Sequence, residues 1–151
     1  MKEKKIILLP VDLTLAGECI DIKKLQFYLP IIKETTEYRK NERKCFEQIA
    51  TLKDYKYKYI IEEVEAKEIA TKIIRKYTTN IDDIINVNFD LSLTPKNEDE
   101  TELTISYEIN LLKNTLINRG LIKAGKRLIK KKYLILLEKN LILFSKTLDE
   151  S

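Results

Sequence analysis

Histidine is absent from this chain, and so is tryptophan. Among its 151 residues glycine and proline occur three times each, cysteine twice and methionine once. Each shortage removes a class of chemistry. Without histidine there is no Ser-His-Asp or Cys-His catalysis, no histidine general base and no histidine-ligated zinc. Gly17, Gly120 and Gly125 approach neither GxxxxGK[ST] nor GxGxxG, so no glycine-rich loop cradles a phosphate. Cys19 and Cys45 match no metal spacing and read as two buried thiols. A disulfide between them needs an oxidising compartment that nothing else suggests, and a nucleophilic role needs a neighbouring cation to lower the thiol pKa. Apolar runs, such as residues 6–9 and 133–137, stop at four or five residues, far short of the roughly 18–20 that span a bilayer. The opening MKEKKIILLPVDL is basic, but Pro10 and Asp12 cut its apolar segment too short for a secretory signal. These absences lead to the expectation of a soluble, cytoplasmic protein.

What is present suffices for one packed domain, because 44% of the residues are hydrophobic. Abundant Lys, Ile, Glu and Tyr suit a thermophile, or equally an AT-rich genome. The net charge of +4 is unevenly spread. Residues 1–105 hold 18 bases and 20 acids, whereas residues 106–151 hold 10 bases and 4 acids. The asymmetry puts a positive field at one end of the molecule.

Patterning predicts an α+β fold, a small helical bundle followed by a β-hairpin-containing C-terminal part. KKIILLPVDLTLAGECI reads as one or two short strands with a turn at Gly17. Asp21 is a helix-cap candidate, and Pro30 separates a short helix from a longer one. In the longer one Ile31, Thr35, Tyr38, Cys45, Ile49 and Leu52 recur at helical intervals, with charges between them. KDYKYKYI (53–60) is ambiguous: its tyrosines Tyr55, Tyr57 and Tyr59 alternate as in a strand, between helical segments. They suit an interface patch or the half-buried side of an element. Ala66, Ile69, Ala70, Ile73 and Tyr77 form a second helical stripe. The period then switches to two. Val87, Phe89, Leu91 and Leu93 alternate with polar residues, as do Leu103, Ile105 and Tyr107, so 86–94 and 101–107 make a hairpin. A short helix through Ile109, Leu112 and Leu116 is expected to stop at Gly120. The tail suits a helix or a second hairpin turning near Lys139–Asn140, and two apolar runs around a polar centre favour the hairpin. Two parts follow: 1–80, mainly helical with a short N-terminal strand region, and 84–151, a small basic β-containing part.

Acid clusters are the remaining route to catalysis. Asp82, Asp83 and Asp90, or the run 98–100, offer carboxylates for Mg²⁺, and Glu65-Ala66-Lys67 has the E-x-K spacing of some metal-dependent nucleases. Turn chemistry, a solvated loop and a helical period explain these three sets better. The expectation is no enzyme, no metal and no cofactor. The strongest positive signal is RGLIKAGKRLIKKK (119–132), two arginines and five lysines without an acid. Cations on one face neutralise phosphates, and Lys123, Lys126, Arg127, Lys130, Lys131 and Lys132 are the candidate contact residues for nucleic acid or an acidic partner. Leu121, Ile122, Leu128 and Ile129 interrupt the run, so part of the charge covers the edge of a packed element. Interleaved Lys and Leu also suit a membrane surface, but the hairpin signals nearby argue against it. No membrane partner is expected, and a protein partner is.

TELTISYEINLLKNTLINRGLIK (101–123) resembles the strand, short helix and Arg-Gly ending of the small β-domain in GINS replication subunits, and YRKNERKCFEQIATL (38–52) is similar to a helix of one branch of that family. The resemblance covers about 40 residues. It implies a non-enzymatic scaffold that joins a replicative helicase to its partners. The function expected is therefore a non-catalytic subunit or adaptor of a nucleic-acid-handling complex, such as a DNA-replication complex, with a basic C-terminal contact surface. The alternative is a viral or mobile-element protein that occupies a host protein surface without touching nucleic acid.

Overall fold

A computed structural model describes residues 2–52 and 54–150, with the backbone alone at Leu52. Met1, Lys53 and Ser151 lie outside the described residues, so Lys53 of the tyrosine-rich stretch is not placed. The chain opens with β1 (Glu3–Leu9), α1 (Leu13–Cys19), a single tight turn at Ile22–Lys24 and α2 (Leu25–Tyr28). Six strands follow: β2 (Ile32–Lys40), β3 (Arg43–Leu52), β4 (Tyr55–Ile69), β5 (Lys72–Ile81), β6 (Ile85–Asn97) and β7 (Glu100–Leu111). The tail is α3 (Leu116–Leu128), a π turn at Ile129–Tyr133 and α4 (Leu134–Asp149), which run on without a break.

All seven strands form one antiparallel sheet in the order β1-β7-β6-β5-β4-β3-β2. β2 to β7 are a meander, and β1 closes against the far side of β7, pairing Glu3 with Tyr107 and Leu9 with Thr101. Register decides which side chains share a face. The pairs Tyr77–Phe89, Phe89–Tyr107, Ile73–Leu93 and Leu93–Leu103 put the odd-numbered positions of β5, β6 and β7 together, and Ile7 and Leu9 of β1 join them. The helices cover this inner face. Ile7, Leu9, Leu93 and Leu103 are fully enclosed there with Ala16 and Cys19 of α1 and Leu141 of α4. Each enclosed aliphatic side chain stabilises the fold by about 1.5–3 kcal/mol. A smaller cluster of Ile22, Phe46, Ile61 and Tyr77 continues the face toward β3 and β4. α1 lies so close to β5 that a Cβ at Gly17 would stand 3.0 Å from Ile73 Cδ1.

The expected helical bundle is wrong. Residues 32–81 are four long strands, and the intervals of three, four and seven across 31–52 coincide with two strands folded on each other. Tyr38 pairs with Cys45 across that hairpin, while Phe46, Gln48 and Ala50 alternate inward along β3. The turn between the strands is Asn41–Glu42, both with positive φ (52° and 67°). Hairpin geometry asks for such values, but glycine usually supplies them, so nothing announced the turn. The second stripe, 66–77, likewise splits between β4 and β5. The tail errs the other way: the expected hairpin is helix, Gly120 lies inside α3, and Ile109 belongs to β7. Gly17, expected in a turn between strands, lies within α1. Other expectations are met. The alternation of 86–94 and 101–107 is the register of β6 and β7. Asp21 caps its turn by accepting from the Lys23 amide at 3.0 Å. Asp82–Asp83 is a turn with positive φ at both residues.

Candidate functional site

Between the sheet and the C-terminal helix lies a cavity of about 290 Å³. Its floor is the odd-numbered row Val87, Phe89 and Leu91 of β6 with Leu103, Ile105, Tyr107 and Ile109 of β7. Ile20, Ile22, Leu25, Tyr28 and Leu29 from the α1–α2 region wall one side. The roof is Ile129, Leu134, Leu137 and Leu141. The step from Ile129 to Leu134 is five residues, one more than a regular helix allows on a single face. The π turn absorbs the extra residue and keeps Leu134, rather than Tyr133, over the sheet.

The roof is held by polar ties at both ends. Lys130 Nζ stands 2.9 Å from Glu3 Oε2, and Lys5 Nζ stands 2.9 Å from Glu138 Oε2, so β1 is clamped to the helix both within the π turn and one turn beyond it. Farther along, Asn140 Nδ2 donates to the Tyr28 carbonyl at 2.9 Å, and the Phe144 ring lies against Phe27 and Tyr28. Asn140, expected in a hairpin turn, is therefore the tie between α4 and the end of α2.

Among the described lining residues, two carry a side-chain polar atom, Tyr28 and Tyr107. The Tyr28 hydroxyl donates to the Cys19 carbonyl at 3.1 Å. Burial pushes its pKa up. The Tyr107 hydroxyl is buried without a hydrogen-bond partner. Burial raises its pKa too, the Glu3 carboxylate adds to the rise and the Lys130 ammonium opposes it. Both phenols are therefore neutral near pH 7, and among the described residues no Asp, Glu, Lys or Arg lines the cavity. A second polar set sits where the inner face reaches β3 and β4: the Tyr59 hydroxyl donates to Gln48 Oε1 at 2.9 Å, and Gln48 Nε2 donates to Thr35 Oγ1 at 3.2 Å. That chain is satisfied within itself.

The residues singled out in the sequence lie elsewhere. Lys123, Lys126 and Arg127 are on α3, and Lys130, Lys131 and Lys132 are in the π turn. One continuous helix thus brings them together, outside the cavity. Tyr55 and Tyr57 are exposed near the start of β4, while Tyr59 turns inward. Among the acids, Asp90 pairs with Lys2, Glu65 pairs with Lys67 and Lys76, and Asp82–Asp83 form a turn. In the sequence Tyr107 reads as a strand residue and as an aromatic near the basic run, not as part of a cavity. The available signal was its place in a strictly alternating strand, where a tyrosine on the dry face needs a partner for its hydroxyl.

No known sequence family and no curated protein matches this chain. Solved structures do. The Zhui aromatase/cyclase from a Streptomyces species superposes with a TM-score of 0.73 at 6% identity, covering 97% of this chain and 93% of that one. A START superfamily protein from Mycobacterium smegmatis gives 0.66 at 17% identity, covering 97% and 98%. Norcoclaurine synthase from Thalictrum flavum gives 0.67 at 11% identity, covering 100% and 87%. The resemblance to GINS subunits is overturned by these likenesses and by the elements themselves. Residues 38–52, similar in sequence to a GINS helix, are two strands, and 101–123 is a twelve-residue strand leading into an exposed helix. The replication-adaptor reading falls with it, as do DNA binding as the function and the host-surface alternative.

Proposed function

Starting from a START/Bet v1-like fold, we propose that the chain is a binding protein for a small, mostly apolar molecule, held between the sheet and the C-terminal helix. The observation that carries this reading is the Tyr107 hydroxyl, which, unlike that of Tyr28, has no partner among the described residues in a cavity whose lining is otherwise hydrocarbon. A buried hydroxyl without a partner costs about 1–3 kcal/mol, and a ligand with one oxygen would remove that cost. Pockets that bind small molecules pair an apolar lining with a few placed polar groups. The volume suits a ligand of two or three fused rings or a chain of similar bulk. Binding without catalysis fits the lining, since two neutral phenols supply neither a base nor a nucleophile near pH 7. The solved relatives include a cyclase and a synthase by name, so an enzyme is the second reading. It is disfavoured here by the lack of any charged side chain in the lining. Two buried free thiols, Cys19 and Cys45, suit the reducing interior of a cell.

The test is titration with a naphthol followed by fluorescence. Saturable one-to-one binding is expected. Tyr107→Phe should weaken it roughly 5–10-fold, the net worth of one hydrogen bond, and Leu91→Trp, which fills the cavity, should abolish it. Binding that neither variant changes would sink the assignment of this cavity.

A further inference from the structure

The cavity does not explain α3. None of its thirteen residues is buried, although it is strongly amphipathic. Ile117, Leu121 and Leu128, at helical intervals of four and seven, stand in one stripe and are 75%, 61% and 43% exposed; Leu116 beside them is 78% exposed. Residues on the inner side, Ile122 and Ile129, are only half-covered. The rest of the outer arc is cationic. From 116 to 132 there are seven bases and no acid, and among the described residues Lys130 is the one of them held in an ion pair.

We infer that α3 and the π turn dock on an anionic lipid surface, with Ile117, Leu121 and Leu128 in the headgroup–acyl boundary and Lys123, Lys126, Arg127 and Lys131 against the lipid phosphates. Both halves of the helix point to this occupant. Nucleic acid would satisfy the cations and leave the apolar stripe in water. A second copy of the chain would cover the stripe but would bring two sets of seven like charges together. A lipid surface takes both, because cations meet headgroups while the adjacent apolar side chains leave water. The objection raised by the sequence, that a hairpin surrounds the basic run, disappears now that the run is helical. No helix among the described residues is long and apolar enough to cross a membrane, so this contact lies in the plane of the interface. The inference stands apart from the ligand-binding reading, and either can fail alone.

The experiment is flotation of the full chain with phosphatidylcholine vesicles, with and without about one-third phosphatidylserine, at low and high salt. Binding is expected on the phosphatidylserine vesicles alone and should weaken as salt rises. The triple variant Lys123→Gln, Lys126→Gln, Arg127→Gln should lose about 100-fold in affinity. Ile117→Gln with Leu121→Gln should lose at least ~10-fold. All these side chains are solvent-exposed or half-exposed, so the variants should melt like the parent, and melting is measured alongside. No vesicle binding, equal binding to pure phosphatidylcholine, or full binding by either variant overturns the inference. So does a DNA duplex that displaces the chain from vesicles while the Ile117/Leu121 variant still binds the duplex normally.

Discussion

Cys19 and Tyr59, together with the buried phenols of Tyr28 and Tyr77, carry the pH dependence that single residues impose on this fold. Burial pushes the Cys19 thiol from 9.0 up to about 11 and the Tyr59 phenol from 10.0 up to about 12. In both, the neutral form is the one the folded protein prefers, so over that range the native state binds more protons than the unfolded chain. Stability is then full below about pH 9 and falls as pH rises through the folded values. Urea unfolding at pH 8, 9.5 and 10.5 should show the midpoint falling once the pH passes about 9, with a loss on the order of 2 kcal/mol or more by the highest pH. An unchanged midpoint would mean that Cys19 is not enclosed as described. Much of this was within reach of the sequence, where both cysteines already read as buried thiols. The role of Tyr107 was only half legible: strict alternation puts its ring on the dry face, but whether its hydroxyl finds a partner is decided across the fold, and no local pattern records that.

At the scale of elements, the π turn is where the C-terminal helix changes phase. Deleting Lys131, an exposed residue, would remove the extra residue and rotate α3 about 100° against the sheet. Ile122 and Ile129 would then turn out of their half-covered positions. The deletion should cost ~2 kcal/mol or more and abolish naphthol binding, whereas Lys131→Ala should do neither; equal effects of the two would remove the phase argument. The long strands before this helix show why period alone misled. β2 is an edge strand, and its Lys33, Glu34, Glu37, Arg39 and Lys40 keep the edge charged and unattractive to other strands. Such charges at close spacing look like the wet side of a helix. β6 and β7 were legible because they lie inside the sheet, where one face is dry and the other wet and the alternation is strict. The tail was misread because an apolar–polar–apolar run fits a hairpin and a helix equally, and what separates them is contact with distant parts of the chain, such as the tie from Asn140 to the Tyr28 carbonyl.

For the whole molecule, sheet and helix form two layers that meet fully only where β1, α1 and α4 converge, and the cavity is the part of that seam left unfilled by side chains. A ligand that fills it binds the folded state alone. Naphthol at about 100 times its dissociation constant should therefore add ~2.7 kcal/mol of stability. For a chain of this size that means a rise of roughly 5–10 °C in Tm; no rise at saturation would mean that the probe does not prefer the folded state. The pairing of β1 with β7 has a further consequence. Residues 3–9 hydrogen-bond to residues 101–107, so β1 leaves the ribosome about a hundred residues ahead of its neighbour and cannot pair until that stretch has been made. At roughly 5–20 residues per second that is a wait of at least about five seconds. Throughout it Ile6, Ile7, Leu8 and Leu9 have no sheet to join. Closing so long a loop also places folding among the slower classes, milliseconds to seconds once the chain is complete. The nascent chain is thus most exposed to aggregation at β1, where lysines at positions 2, 4 and 5 stand directly before the apolar run and supply the charge that keeps it in solution.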